Sequence, residues 1–371
     1  MVKLFNSDYD VCDCYNPKKG TENMSLMDKL KKNSTIKEIS ILDESKFFTD
    51  KEMITTNVPA MNIALSGDID GGFTSGLTTF AGVSKHFKTG FSLLLAKAYM
   101  DKYSDSVLMF YDSEFGTPKN YFESFNIDIH RVLHVPITDV EQLKFDIIKQ
   151  LSTIDRKEKV IFIIDSIGNL ASKKELDDAM NEKSVADMSR AKQLKSLFRM
   201  VTPHLTIKDI PMIVINHTYK EIGLFPKDIV SGGTGSYYSS DNIFIIGRQQ
   251  EKVGTDIEGY HFIINVEKSR YVKEKSKIPI SVNFDTGISK WSGLLDIAMD
   301  IGAVIKPSNG WYSRVNMETG EVEDKKFRAK DTDAKTFWTP IISSELFKEA
   351  IRKRYKIGYG DIMTEEVEEV V

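Results

Sequence analysis

Residues 81–90 read AGVSKHFKTG, one letter away from a phosphate-binding loop. The pattern G-x-x-x-x-G-K-[ST] is met by Gly82, Lys88 and Thr89 and broken by Phe87, which stands where the second glycine belongs. Such a loop works because backbone N–H groups at a turn and a helix start converge on one anion. Context therefore counts for more than the letters. LTTFAG (77–82), just upstream, reads as a buried strand, and FSLLLAKAYM, just downstream, as an apolar helix. In that setting Lys88 would reach the β- and γ-phosphates and the Thr89 hydroxyl would bind magnesium. Phe87 leaves two branches open. If its position needs a positive φ, the cost is about 1–2 kcal/mol; if not, the cost is small. Either way its ring must point away from the phosphates.

Working outward, VLMFYD (107–112), VIFIID (160–165), MIVIN (212–216) and NIFIIGR (242–248) are short continuous apolar runs. Strands of a parallel sheet buried on both faces read this way. Between the third and fourth of the runs that begin with LTTFAG, Met188, Ala191, Leu194, Leu197, Phe198 and Val201 recur at helical spacing. The alternation predicts an α/β fold with a mostly parallel central sheet. HFIINVEKSR (261–270) and IPISVNF (278–284) read as antiparallel additions. The expected organisation is a loosely ordered extension at 1–23 and an N-terminal segment at 24–60 whose helix carries Leu26, Met27 and Leu30 on one face. A core at 61–290, a small C-terminal α/β domain at 291–360 and an acidic tail at 361–371 follow.

Composition bounds the class. The 371 residues are 41% hydrophobic and 28% charged, with a net charge of −4. No global basic field advertises nucleic acid, though a local one is allowed. No apolar run nears the ~18 residues that cross a membrane, and MVKLFNSDYDVCDC lacks a secretory core. The expectation is a cytoplasmic protein without a membrane role. Cys12 and Cys14 cannot fill a zinc site alone. The tail, DIMTEEVEEVV, is either a solvated end or a competitor of polyanions for a basic site.

Carboxylates at strand ends extend the site. Asp165 closes VIFIID at the end of a strand where α/β sheets bind ligands, and fits a carboxylate that holds magnesium through water. FYDSE puts Asp112 and Glu114 at another strand end, where a carboxylate can polarise an attacking water. Asn216 and His217 end a third strand, a polar pair that either could sense a terminal phosphate or simply satisfies its hydrogen bonds at the strand end. KEIGLFPKDIVSGGTGS (220–236) and SKKELDDAMNEKS (172–184) read as two mobile loops beside a nucleotide site, which suggests gated binding of a second ligand.

Taken together, the chain resembles the RecA-type strand-exchange recombinases, and within them the UvsX-type recombinases of T-even-like phages. The resemblance spans about Met24 to Tyr359. It is carried by NIALSG (62–67), SGL (75–77), FYDSEFG (110–116), IDSIGNLASKKE (164–175), INHTY (215–219), NVEKSR (265–270) and GWY (310–312). UvsX-type recombinases also place a bulky aromatic where the loop glycine is expected. The resemblance implies ATP and Mg2+ held by Gly82, Val83, Ser84, Lys85, His86, Phe87, Lys88, Thr89 and Gly90, with Asp165 as the magnesium carboxylate and Tyr121 stacked on adenine. It implies Glu114 as the base, and His217 in the place of the γ-phosphate sensor, which is Gln in bacterial RecA; imidazole can change charge near neutral pH. Lys268 and Arg270 would reach the ATP of a neighbouring subunit.

The same resemblance makes 172–184 and 218–235 the two DNA loops, with Lys173, Lys174, Lys220, Phe225, Lys227, Gly232 and Gly233 as contacts. It implies a DNA-dependent ATPase that forms helical filaments on single-stranded DNA and exchanges strands with duplex DNA. The segment 24–60 would dock on the next subunit, and a single-strand-binding protein and a mediator would assist. If a phage encodes the chain, the host cytoplasm is its compartment. Residues 1–23 exceed the usual start, so either they form an arm or Met24 initiates; the acidic tail is shorter than in that family. Two other readings stay open at this point: a hexameric helicase motor on the same core, or a filament scaffold that binds DNA without hydrolysis. A regulatory ATPase with no DNA role is a third.

Overall fold

The structure is a computed structural model that describes residues 25–36, 38–45, 51–181, 189–221, 228–253 and 256–358. They belong to two compact units that divide between Asp50 and Lys51. The first holds α1 (Leu26–Asn33), capped by Ser25, whose Oγ accepts the Asp28 N–H at 3.1 Å. Leu26, Met27 and Leu30 are all exposed, and so are Ile36, Ile39, Ile41 and Leu42. Among the described residues of this unit, nothing covers this row of apolar side chains.

The second unit starts with α2 (Pro59–Ser66), β1 (Gly76–Ala81), α3 (Lys88–Lys102), β2 (Val107–Asp112), α4 (Lys119–Ser124), β3 (Val132–Pro136), α5 (Val140–Thr153) and β4 (Val160–Asp165). It continues with α6 (Lys173–Met180), α7 (Ser189–Lys208), β5 (Pro211–Asn216), the hairpin β6 (Thr218–Lys220) and β7 (Asp228–Val230), α8 (Thr234–Ser239), β8 (Asn242–Val253), β9 (Asp256–Lys268) and β10 (Lys277–Asn283). Last come α9 (Leu294–Ile301), β11 (Val304–Ser308), β12 (Trp311–Arg314), β13 (Phe327–Arg328), α10 (Lys335–Ile342) and α11 (Glu345–Tyr355).

Eight strands form one sheet in the order β10-β9-β8-β1-β5-β4-β2-β3. From β8 to β3 every pairing is parallel; β9 and β10 add antiparallel, as expected. The inner strands β1, β2, β4 and β5 are buried on both faces, and because successive side chains point opposite ways each strand feeds two apolar layers. In β4, Ile161 and Ile163 join one apolar cluster while Phe162 and Ile164 join the other. The first cluster runs on through Trp291, Leu294, Phe337, Trp338 and Phe347, so residues beyond 290 share the core of the sheet. A second sheet, β11-β12-β13, is antiparallel.

Three readings need correction. VLHVP (132–136) is a strand, β3, unread because it is the sheet edge: Leu133 is exposed and no apolar run forms. The segment 172–184 is not a loop throughout. Ser172 and Glu175 form a capping box, each satisfying the other's backbone N–H, and start α6. The segment 218–235 likewise holds the β6–β7 hairpin, and α8 begins at Thr234.

Candidate nucleotide site

The carboxyl ends of β1, β2, β4 and β5 meet at a cleft of ≈ 310 Å³, where open α/β sheets bind ligands. Ser84, Lys85, His86, Phe87, Lys88, Thr89, Gly90, Glu114, Tyr121, Asp165 and His217 line it together. Gly82 and Val83 lie just before, where the chain leaves β1.

Phe87 takes the strained branch: its φ is 56° and its ψ 22°, in the left-handed region, one residue before α3. The cost of about 1–2 kcal/mol is offset by packing. The ring stacks on Phe262 with centroids 5.6 Å apart and meets Phe91 edge-on at 5.3 Å. Such pairs contribute about 0.5–1.5 kcal/mol each beyond their buried area.

Lys88 is buried, and its Nζ donates to the Val83 carbonyl at 2.9 Å, folding the side chain back along the loop. Burial lowers its pKa. The Thr89 hydroxyl donates to Asp165 Oδ2 at 2.7 Å. Asp165 is itself buried, and that burial, opposed by the Thr89 hydrogen bond and reinforced by Glu114 and Asp112, pushes its carboxyl up to about 6. A hydroxyl and a desolvated carboxylate side by side form a partial oxygen shell that favours a hard cation. Mg2+ is typically held by one or two protein oxygens together with substrate phosphates.

Glu114 is held from three directions. Ser166 Oγ donates to Oε1 at 2.6 Å, His217 Nε2 at 3.0 Å and Asn169 Nδ2 at 3.1 Å. The His217 hydrogen bond holds its carboxyl below the ordinary range; burial opposes it and the Ser166 bond assists. All three donors use Oε1, so among the described residues Oε2 keeps its lone pairs. Asp112 sets the loop beneath: its Oδ1 accepts the N–H groups of Glu114 (3.0 Å) and Phe115 (2.7 Å). Arg190 clamps the facing segment, donating to the carbonyls of Ile167, Gly168 and Leu170 at 2.6–2.8 Å. Tyr121, on α4, leans on Phe125 at 5.5 Å and is pushed up to about 12 by burial. With Phe87 it also borders a wider groove of ≈ 1130 Å³.

The profile described as the RecA N-terminal domain matches residues 21–289. The chain belongs to the RecA family. A second profile, described as the C-terminal domain of the bacteriophage T4 recombination and repair protein, matches residues 291–351. The recombination and repair protein of Enterobacteria phage T4 is 52% identical over 353 residues, covering 93% of this chain and 90% of that one. Protein RecA of Bacteroides thetaiotaomicron is 26% identical, covering 74% and 81%. Protein RecA of a Synechococcus strain is 26% identical, covering 74% and 70%.

In this RecA-family chain the remaining described candidates, among them Lys268, Arg270, Lys173, Lys174 and Lys220, do not line the cleft. Lys268 Nζ donates to the carbonyls of Tyr237 (3.0 Å) and Tyr238 (3.2 Å) at the end of α8. Arg270 pairs with Asp241 at 2.5 Å. Lys173 and Lys174 open α6, and Lys220 pairs with Asp228 across the hairpin at 2.8 Å. Gly232 (φ 84°) and Gly233 (φ 78°) turn the chain into α8. Phe225 and Lys227 lie outside the described residues, as do Cys12, Cys14 and the acidic tail. One link was not foreseen. Asn216, next to His217, accepts from Ser231 Oγ at 2.6 Å and donates to the Ser231 carbonyl at 2.8 Å. The cleft is thereby tied to the exit of the hairpin. Ser166, Asn169 and Arg190 were also missed; their only signal was their place in and after IDSIGN.

Proposed function

We propose that the chain is an ATP-dependent DNA recombinase. It assembles as a helical filament on single-stranded DNA, pairs it with homologous duplex DNA and exchanges strands in recombination, repair and replication. The observation that carries the reading is the meeting of Lys88, Thr89, Asp165, Glu114 and His217 in one cleft of a RecA-family chain. The 52% identity to a recombination and repair protein supports it.

In this reading residues 82–90 and Lys88 hold the phosphates of ATP. Thr89 and Asp165 hold Mg2+, which when bound neutralises charge on the phosphates. Glu114, fixed through Oε1, presents Oε2 to accept a proton from the attacking water. His217 occupies the position from which loss of the terminal phosphate is felt, and Asn216 with Ser231 carries the change toward the 218–235 hairpin. Tyr121 offers its ring to adenine. Lys173, Lys174, Lys220, Phe225, Lys227, Gly232 and Gly233 serve DNA, mainly its backbone, so binding weakens with salt by a log–log slope of about −0.7 per phosphate. Lys268 and Arg270 complete the site of the adjacent protomer, and the exposed apolar row of the first unit docks on that protomer. A single-strand-binding protein and a mediator act alongside, in the cytoplasm, which is that of the host if a phage encodes the chain.

The test is strand exchange between circular single-stranded and linear duplex DNA, with and without ATP, for the parent chain and Lys88→Ala. The parent forms joint molecules only with ATP, and Lys88→Ala forms fewer than about a tenth as many, given the reach of a single phosphate-loop lysine. Equal yields from both would remove the loop from the function.

A further inference from the structure

Phe87 breaks the loop pattern, and three residues later Gly90 is a glycine the pattern does not ask for. We infer that the two form one device. Phe87 is a positioning residue for the phosphates of ATP, fixing the loop by its ring instead of by glycine's backbone freedom, and Gly90 is glycine to make room for that ring. The inference rests on reading residues 82–90 as the phosphate loop of ATP.

Gly90 sits in the first turn of α3 with no positive φ, so its backbone does not call for glycine. A β-carbon there would stand 2.4 Å from Phe87 Cε1, 2.5 Å from Cζ and 2.7 Å from Cδ1, far inside contact distance. The ring has little freedom to give way, because Phe262 stacks on it and Phe91 abuts it edge-on. Its neighbours are fastened to the same strand pair. His86 Nδ1 donates to the Ile246 carbonyl on β8 at 2.5 Å, and Arg248 on β8 donates to the Lys85 carbonyl at 3.1 Å. Arg248 lies opposite Phe262 of β9 in the ladder. Three consecutive loop residues are thus anchored to β8 and β9. The loop is held from outside through the Lys85 carbonyl and the His86 and Phe87 rings, where a conventional loop relies on its second glycine.

The experiment measures equilibrium binding of ATP with Mg2+, and KM and kcat for hydrolysis, in the parent, Phe87→Gly, Gly90→Ala and the double variant. Phe87→Gly restores the general pattern, yet binding should weaken about fivefold, with KM rising by the same factor and kcat falling less. Gly90→Ala should weaken binding about tenfold beside Phe87 but less than about twofold beside Gly at that position. Binding by Phe87→Gly as tight as the parent's, or an equal cost of Gly90→Ala in both backgrounds, would overturn the inference. If Phe87→Gly does not fold, Phe87→Leu takes its place in the same cycle under the same criterion. A parent chain that binds no ATP would instead overturn the reading of the loop itself, and needs no variant to be seen.

Discussion

Asp165 ends β4 inside the protein, and its carboxylate accepts the Thr89 hydroxyl. A carboxyl raised from 3.8 to about 6 holds its proton more tightly folded than unfolded. Its effect on stability is therefore absent below pH about 3.8 and grows as a penalty while pH rises through about 6. A rise of that size corresponds to about 3 kcal/mol. In the proposed reading Mg2+ held at this carboxylate would supply the missing countercharge, and the penalty is then stability given up for function. Asp165→Asn, measured in chelator without nucleotide, should melt several degrees above the parent at pH 7.5. The gap should close by about pH 4, and Mg2+-dependent hydrolysis should be lost. A parent that melts higher than the variant at pH 7.5 would contradict this placement of the charge.

The helix α6 shows how a polar segment is ordered by its first residues. Ser172 Oγ accepts the Glu175 N–H at 3.0 Å, and Glu175 returns to the Ser172 N–H. Losing such a cap costs about 1 kcal/mol. If α6 presents Lys173 and Lys174 to DNA, Ser172→Ala should weaken single-stranded DNA binding about fivefold while leaving DNA-independent ATP hydrolysis within about twofold. Unchanged DNA binding would detach α6 from that role. The same element marks where the sequence was and was not legible. β2, β4 and β5 were readable because burial on both faces leaves nothing but apolar letters, and their strand-end residues Asp112, Asp165 and Asn216 followed from that. α6 was not, because polar side chains cap its first turn and no apolar face is buried. β3 escaped because an edge strand keeps half its side chains in water. The left-handed turn at Phe87 was not readable either, since it depends on Phe262, 175 positions away in the chain and adjacent only in the fold.

Within one chain, Glu114 and the pair Lys268 and Arg270 lie in different places. Glu114 lies in the cleft, while Lys268 and Arg270 lie beside α8 and Asp241. If the cations complete the neighbour's site, two inactive chains can repair each other. Mixing Glu114→Gln with a Lys268→Ala/Arg270→Ala double variant on single-stranded DNA should place intact sites at about a quarter of random junctions. Hydrolysis should then recover to roughly that fraction of the parent rate. No recovery would confine both groups to their own chain. The link from His217 and Asn216 to Ser231 makes a broader demand, that DNA at the hairpin and nucleotide in the cleft answer one another. The most direct measurement is the rate of ATP hydrolysis with and without single-stranded DNA, at low and moderate salt. Stimulation of about tenfold or more at low salt, reduced as salt rises, is the predicted result. Hydrolysis unaffected by DNA at either salt, or tight ATP-dependent DNA binding without hydrolysis, would contradict it.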